Sequence, residues 1–124
     1  PDIVRLVDEA RAAGERIDLD DHLDDVPSTP TGRTAYRIVQ EGLTNARKHA
    51  PGARVTVRLT GNQREGLTLT LTNARPVAAP ATLPTSGLGL LGLTERVALA
   101  GGRLEQGVTP GGGYRLAVWL PWAP

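Results

Sequence analysis

Apolar side chains recur along this chain with two different periods. Spacings of three and four residues predict helices at residues 2–13, 34–50 and 90–100. Alternation of apolar and polar side chains predicts strands at residues 16–19, 54–60, 67–72, 103–108 and 114–120. This order of elements predicts an α/β (α+β) two-layer sandwich. Its mixed, mostly antiparallel sheet of about five strands carries the helices on one face.

Glycine and proline residues mark the ends of these elements. Gly14, Gly52 and Gly101 follow the three predicted helices, as expected of residues that stop a helix. Residues 24–32 contain two prolines and predict a loop. Thr34 is then the predicted N-terminal cap of the second helix.

The predicted helix at residues 34–50 has two different faces. Its apolar stripe consists of Tyr36, Val39, Leu43, Ala46 and Ala50. The opposite face carries Glu41, Asn45, Lys48 and His49. An Asn oxygen suits Mg²⁺, a Lys ammonium suits phosphate, and a Glu carboxylate can position or deprotonate a nucleophile. The alternative is a solvated face with pairs of polar side chains four residues apart.

Lys48 is the one lysine in the chain, since the other thirteen of the fourteen basic residues are arginine. Lysine is a flexible point charge, whereas arginine is a planar fork. The use of lysine at this position therefore favours a functional role for the polar face.

A glycine-rich stretch precedes the third predicted helix and contains Gly87-Leu88-Gly89-Leu90. Glycines at the start of a helix let backbone N–H groups approach an anion, which the helix dipole also favours. The alternative interpretation is a flexible hinge with close helix packing.

In this order, residues 36–50 and 87–97 resemble the N box and the G2 box of the ATP-binding domain of sensor histidine kinases. This domain belongs to the GHKL superfamily, which has the Bergerat-type ATP-binding fold. Residues 87–97 are most similar to the branch whose response regulators carry a helix-turn-helix output domain. Residues 110–121 resemble the closing hairpin, so the resemblance covers nearly the whole chain.

The resemblance implies a role for each matching residue. Asn45 would coordinate Mg²⁺, Glu41 would assist phosphoryl transfer as a base or orienting group, and Lys48 and His49 would lie near the phosphates of ATP. Backbone groups of a lid would approach the nucleotide at Gly87, Leu88, Gly89 and Leu90. Phosphoryl transfer requires mainly positioning and charge stabilisation, and these residue types fit that task.

The chain departs from the family pattern at the end of the predicted strand 67–72. The family has an Asp there that binds the adenine amino group, followed two residues later by Gly, whereas this chain has Asn73 and Arg75. An Asn oxygen still accepts that hydrogen bond. A neutral acceptor weakens binding by about 1–2 kcal/mol, roughly five- to thirtyfold. The alternative is that Asn73 only caps a turn.

Residues 74–85 contain three prolines among small residues, which excludes a helix or a central strand. Their position before Gly87 favours a short mobile lid over the nucleotide. A surface linker is the alternative.

Length and composition limit the remaining possibilities. A chain of 124 residues is expected to form one domain, and a net charge of +1 does not favour binding to nucleic acid. The absence of cysteine excludes disulfides and thiolate sites. No apolar run is long enough to span a membrane, and no signal peptide is visible. The chain begins at Pro1 and lacks methionine, so we expect it to be a fragment.

The histidines and tryptophans complete the pattern of candidate residues. His22 lies in an acidic stretch and is expected to be exposed, and neither it nor His49 resembles a phosphoacceptor. Trp119 and Trp122 fit either the core or a surface that meets a missing domain.

Together these observations predict the catalytic domain of a sensor histidine kinase spanning residues 1–124. It would bind Mg²⁺ and ATP and transfer the γ-phosphoryl group to a His on a separate dimerisation domain, from which a helix-turn-helix response regulator would receive it. The domain is expected to be cytoplasmic, and monomeric by itself. An anti-sigma-factor-type serine kinase and a degenerate interaction module that does not use ATP are the alternatives.

Overall fold

The computed structural model describes residues 3–50, 52–74 and 87–123, apart from the side chains of His49 and residues 87–91. Within these ranges the helices are α1 (Ile3–Ala12), α2 (Thr29–His49) and α3 (Gly87–Leu99). The strands are β1 (Ile17–Leu23), β2 (Val55–Asn62), β3 (Gly66–Asn73), β4 (Arg103–Val108) and β5 (Tyr114–Leu120).

The described strands form one mixed sheet in the order β1-β2-β3-β5-β4. β1 and β2 are parallel and are connected through α2, whereas the other three neighbouring pairs are antiparallel. A crossover of this length is what parallel neighbours require. The predicted fold class is therefore confirmed.

The core lies between one face of this sheet and the helices. Leu67, Leu69 and Leu71 alternate along β3 on the inner face, and each is almost completely buried. The helices contribute Val7 from α1, Ile38 and Val39 from α2, and Leu93 and Val97 from α3. Thr68 and Thr72 point to the other, more exposed face. No described helix is long and apolar enough to cross a membrane.

The second helix begins earlier than the sequence predicted. Ser28 is its N-cap, and the Ser28 side chain accepts a hydrogen bond from the Thr31 backbone N–H at 3.3 Å. The predicted cap at Thr34 is wrong, because the Thr34 hydroxyl donates to the Pro30 carbonyl inside the helix. The predicted loop at residues 24–32 included Pro30, but proline fits the first turn of a helix, where no N–H is needed.

The first strand is longer than predicted, since β1 continues from Leu19 to Leu23. Parallel pairing with residues 55–61 of β2 supplies its hydrogen-bond partners. Arg54 and Arg58 of the neighbouring segment form ion pairs with Asp18 and Asp20, at 2.9 and 3.7 Å. These partners offset the low strand propensity of the acidic residues. His22 is exposed, as expected.

The two tryptophans have different environments. Trp122 is only 7% exposed and joins the hydrophobic core. Trp119 is half-buried, and its indole N–H donates to the Glu65 carbonyl at 2.9 Å. The Arg103 guanidinium lies 5.2 Å from the centre of the Trp119 ring, within the range of a cation–π contact. Trp122 is therefore a core residue, whereas Trp119 is held by contacts within the domain and stays partly exposed.

Replacement of Gly42 by Ala should destabilise the domain. An added Cβ would lie 2.6 Å from Cδ1 of Leu71, which is itself buried and cannot move freely. Overpacking of this kind typically costs about 1–3 kcal/mol, against a helix-propensity gain of about 0.5–1 kcal/mol. We expect urea denaturation to show a net loss of about 1–2 kcal/mol in the free energy of unfolding.

Gly32→Ala is the matched control in the same helix, because nothing lies within 4 Å of the Cβ that it adds. This variant should gain up to about 1 kcal/mol from helix propensity. Equal stability of the two variants would contradict the close contact between α2 and β3.

Candidate functional site

The polar residues of α2 flank the buried side of the helix. The buried stripe is wider than the sequence predicted, because Ala35, Ile38 and Gly42 are buried as well. Glu41 and Asn45 therefore lie beside the stripe and are half-buried, whereas Lys48 is exposed. The interpretation of these residues as a face directly opposite the stripe is wrong. Half-buried side chains beside the buried stripe of a helix can contact a ligand that lies between the helix and the sheet.

Contacts at both of its ends fix the direction of α2 across the sheet. Near its N-terminus, the Ser28 N–H donates to the Trp122 carbonyl at 3.1 Å and the Thr31 hydroxyl donates to the Pro121 carbonyl at 2.9 Å. These carbonyls follow Leu120, which pairs with Leu67 at the start of β3. At the other end, a short loop joins α2 to Val55, which pairs with Asn73 at the end of β3. The half of α2 that carries Glu41 and Asn45 therefore points to the Asn73 end of the sheet.

Asn73 is the last residue of β3 and lies on its inner face, only 7% exposed. No residue in the described part of the chain forms a hydrogen bond with its side-chain amide. Thr31, the other buried polar residue described, has its hydroxyl hydrogen-bonded to both Ser28 and Pro121. No fully buried side-chain nitrogen or oxygen of the described residues lacks a partner, so the polar atoms of the Asn73 amide keep some contact with the surface, where a ligand can reach them.

The third helix is oriented by its C-terminus. The Gly102 N–H donates to the Val97 carbonyl at 2.9 Å, and a Cβ on Gly102 would lie 2.2 Å from the Trp119 carbonyl oxygen. This close approach places the end of α3 at the Leu120 end of β5. Leu93 and Val97 are buried in the core, so α3 lies over the inner face of the sheet, and we infer that it extends from there towards the edge that carries Asn73. Thirteen residues of helix span about 20 Å, as do seven residues of strand, so the helix is long enough to reach that edge.

The glycine-rich stretch belongs to α3 itself. The helix begins at Gly87, so Gly87, Leu88, Gly89 and Leu90 form its first turn; the prediction of a turn before the helix is wrong for these residues. Backbone N–H groups of a first helical turn have no partner within the helix and attract anions.

Some predicted site residues lie outside the described part of the structure. Arg75 and residues 75–85 of the predicted lid are not described, nor are the side chains of His49, Leu88 and Leu90. The structure thus brings the polar flank of α2, Asn73 and the start of α3 to one edge of the sheet.

Tyr114 is a neighbour of this edge that the sequence patterns did not single out as a site residue. It is opposite Asn73 in the pairing of β5 with β3, and burial raises the pKa of its phenol. Its hydroxyl is hydrogen-bonded to the Gln106 side chain. Only the register of the two strands reveals this proximity, since 41 positions separate the residues along the chain.

Comparison with known protein families identifies the family of this chain. Residues 31–124 match the model of the histidine kinase-, DNA gyrase B- and HSP90-like ATPases. The chain belongs to this family. The match includes α2, β3 and α3, the three elements that meet at the sheet edge.

The proteins whose sequences are similar to this chain include sensor histidine kinases, as the resemblance predicted. The signal transduction histidine-protein kinase/phosphatase UhpB of Salmonella typhimurium is 34% identical over 104 residues, which are 83% of this chain and 20% of UhpB. The chain spans 15–21% of the length of the curated relatives it matches.

Solved structures agree with this fold. The mycobacterial sensor histidine kinase MprB has a TM-score of 0.65 at 24% identity, over 94% of this chain and 89% of that chain. Full-length ShkA in complex with AMPPNP has a TM-score of 0.67 at 20% identity, over 98% of this chain and 30% of that chain.

The side chains at this site suit a metal ion that binds together with a polyphosphate. Among the described residues, no three His, Cys, Asp or Glu side chains are grouped so that they could hold a metal ion. Mg²⁺ is commonly bound through few protein ligands together with substrate phosphates and water. An Asn45 oxygen with a nearby Glu41 carboxylate is consistent with that mode of binding.

The contrast between Asn73 and Thr31 can be tested without any ligand. Asn73→Leu removes an amide that has no described protein partner, so the free energy of unfolding should change by less than about 1 kcal/mol. Thr31→Val removes the hydrogen bonds of the Thr31 hydroxyl with the Ser28 hydroxyl and the Pro121 carbonyl. This change should lower the free energy of unfolding by about 1–3 kcal/mol. Thermal and urea denaturation of both variants measure this difference. An equal loss in both would mean that the Asn73 amide is structural.

Proposed function

We propose that this chain binds Mg-ATP at the Asn73 edge of the sheet and is the catalytic domain that phosphorylates a His on a separate dimerisation domain. The observation that carries this proposal is the convergence of Glu41 and Asn45 with Asn73, whose side-chain amide forms no hydrogen bond with a described residue. Membership of the ATPase family supports the use of ATP. The AMPPNP in the ShkA structure supports a nucleotide site in this fold.

Each polar residue has a distinct part in this proposal. The Asn45 oxygen would hold Mg²⁺, which when bound neutralises charge on the phosphate oxygens. Glu41, one helical turn before Asn45, would orient the attacking His imidazole or accept its proton. Lys48 is exposed on the same side of α2 and would contact phosphate oxygens as a mobile point charge, with His49 next to it.

The other end of the nucleotide would lie over Asn73. Its amide oxygen would accept a hydrogen bond from the adenine amino group. The first turn of α3, from Gly87 to Leu90, would contribute backbone N–H groups to the phosphates. Residues 74–85 would close over the bound nucleotide as a lid.

The wider reaction needs parts of the protein beyond this chain. Relatives named as histidine kinases support a His acceptor over the Ser acceptor of an anti-sigma-factor-type kinase. In this proposal the dimerisation domain supplies that His, and a helix-turn-helix response regulator takes the phosphoryl group from it. The catalytic domain itself, residues 1–124, would be monomeric and cytoplasmic.

One observation favours a second candidate function. Asn73 and Arg75 replace the Asp and Gly expected from the family pattern, as in a domain that has lost ATP binding and acts only as an interaction module. The retention of Glu41, Asn45 and Lys48 together favours ATP use, since an interaction module has no need of that combination.

Calorimetric titration of this chain with AMPPNP, with and without Mg²⁺, tests the proposed site. We expect micromolar to sub-millimolar binding that Mg²⁺ strengthens, and Asn45→Ala should abolish the Mg²⁺-dependent gain, a loss of about tenfold or more. Gln63→Ala, which removes an exposed carboxamide from the β2–β3 turn, is the matched control and should bind normally. Binding that Asn45→Ala leaves unchanged would contradict the assignment of Mg²⁺ to Asn45.

Asn73→Asp distinguishes the two candidate functions. A charged acceptor should raise the affinity for AMPPNP by about five- to thirtyfold if adenine lies over this position. The gain should be smaller for an analogue that lacks the exocyclic adenine amino group. If neither the native chain nor Asn73→Asp binds AMPPNP at millimolar concentration, the interaction module becomes the better account.

A further inference from the structure

A cleft of about 660 Å³ lies between α1 and α2, separate from the proposed nucleotide site. It is lined by Arg5, Leu6, Glu9, Arg33, Tyr36, Arg37 and Gln40. At 3.6 residues per turn, Tyr36 and Gln40 lie on one flank of the buried stripe of α2, and Glu41 and Asn45 lie on the other. The volume is within the range of about 300–1,000 Å³ that is typical of ligand pockets.

The cleft concentrates positive charge. Three arginines and one glutamate give it a formal charge of +2, compared with +1 for the whole chain. The Glu9 carboxylate lies 3.4 Å from the Arg5 guanidinium. Arg33 and Arg37 are exposed, and neither forms an ion pair or a hydrogen bond with a residue that the structure describes. The cleft therefore presents two cations that no described part of the chain neutralises.

The spacing of Arg33 and Arg37 adds geometric information. Residues four apart on a helix lie on the same side, about 5–6 Å from each other, and like charges at this spacing destabilise the helix. An arginine fork matches a carboxylate in bidentate fashion. Two carboxylates one helical turn apart would therefore match the pair and relieve its repulsion.

The floor of the cleft is partly apolar. Leu6 and Tyr36 are half-buried, and Leu6 packs against the hydrophobic core. A small inorganic anion would leave this apolar surface uncovered, whereas a peptide with an apolar side chain between its carboxylates would cover it. Laying a helix into a groove that is lined in this way is a recurring mode of peptide recognition.

We propose that the α1–α2 cleft is a docking surface for an acidic helical segment of a partner protein. Carboxylates one turn apart on that segment pair with Arg33 and Arg37, and an apolar side chain between them contacts Leu6 and Tyr36. The lining of this cleft includes neither Glu41 nor Asn45, so the proposed docking surface and the nucleotide site use different side chains of α2.

The probe for this surface is a fluorescein-labelled alanine-based helical peptide of about 18 residues, long enough to hold a helix in water. It carries glutamates four residues apart with one leucine between them. A second peptide has glutamine in place of each glutamate. Fluorescence anisotropy at low salt should show binding of the glutamate peptide that is about tenfold or more tighter than that of the glutamine peptide.

Two double variants locate the binding. Arg33→Gln with Arg37→Gln should weaken binding of the glutamate peptide by about tenfold or more, while Asn45→Ala leaves it unchanged. The control is Arg64→Gln with Arg115→Gln, which removes the same charge from two exposed positions outside the cleft. This control should change the affinity by less than about twofold. Circular dichroism checks that all variants are folded.

Three results would overturn the proposal. The first is no binding of the glutamate peptide at millimolar protein concentration. The second is equal weakening by the two double variants, which would show attraction to overall charge only. The third is tighter binding of a single-stranded oligonucleotide of matched charge through Arg33 and Arg37, which would make the cleft a nucleic-acid site.

Discussion

The contact between Gly42 of α2 and Leu71 of β3 fixes the helix that carries the candidate site onto the sheet. A Cβ at position 42 would approach Cδ1 of Leu71 to 2.6 Å, so any side chain larger than hydrogen would force the buried Leu71 side chain or the helix to shift. Because α2 lies so close to β3, Glu41 and Asn45 on either side of this glycine reach the edge where β3 ends in Asn73. The same packing orients the opposite flank of α2 towards α1, where it forms the arginine-lined cleft. The close packing of α2 on the sheet therefore bears on both surfaces.

Polar groups in this domain fall into two classes. Those with a structural role are paired inside the protein: Thr31 connects the start of α2 to the C-terminal segment, and Trp119 donates to the Glu65 carbonyl. Asn73 is nearly as buried as Thr31, yet its amide forms no hydrogen bond within the described chain, and its polar atoms keep some contact with the surface. An amide in this position can bind a ligand, and a ligand that binds only the folded state stabilises that state.

Much of the fold could be predicted from the sequence, because apolar periodicity sets both the elements and their inner faces. The start of α2 could not, since Pro30 signals a loop and a first helical turn equally well. The length of β1 depends on pairing with a distant strand, which local propensity does not contain. The types of site residue could be predicted from the α2 pattern, whereas their meeting at one sheet edge, and the register of Tyr114 with Asn73, depend on tertiary packing.

Paramagnetic relaxation by Mn-ATP, with Mn²⁺ replacing Mg²⁺, tests the convergence at this edge most directly. In ¹⁵N-labelled protein, we expect backbone amide signals around Asn45 and in the first turn of α3 to broaden most. Signals near Asn73 should broaden less, because the adenine end is farther from the metal. Signals from the exposed face of the sheet, such as Thr68, should not broaden. Broadening centred on the α1–α2 cleft, or spread evenly over the surface, would contradict the central claim that α2, β3 and α3 build one Mg-ATP site.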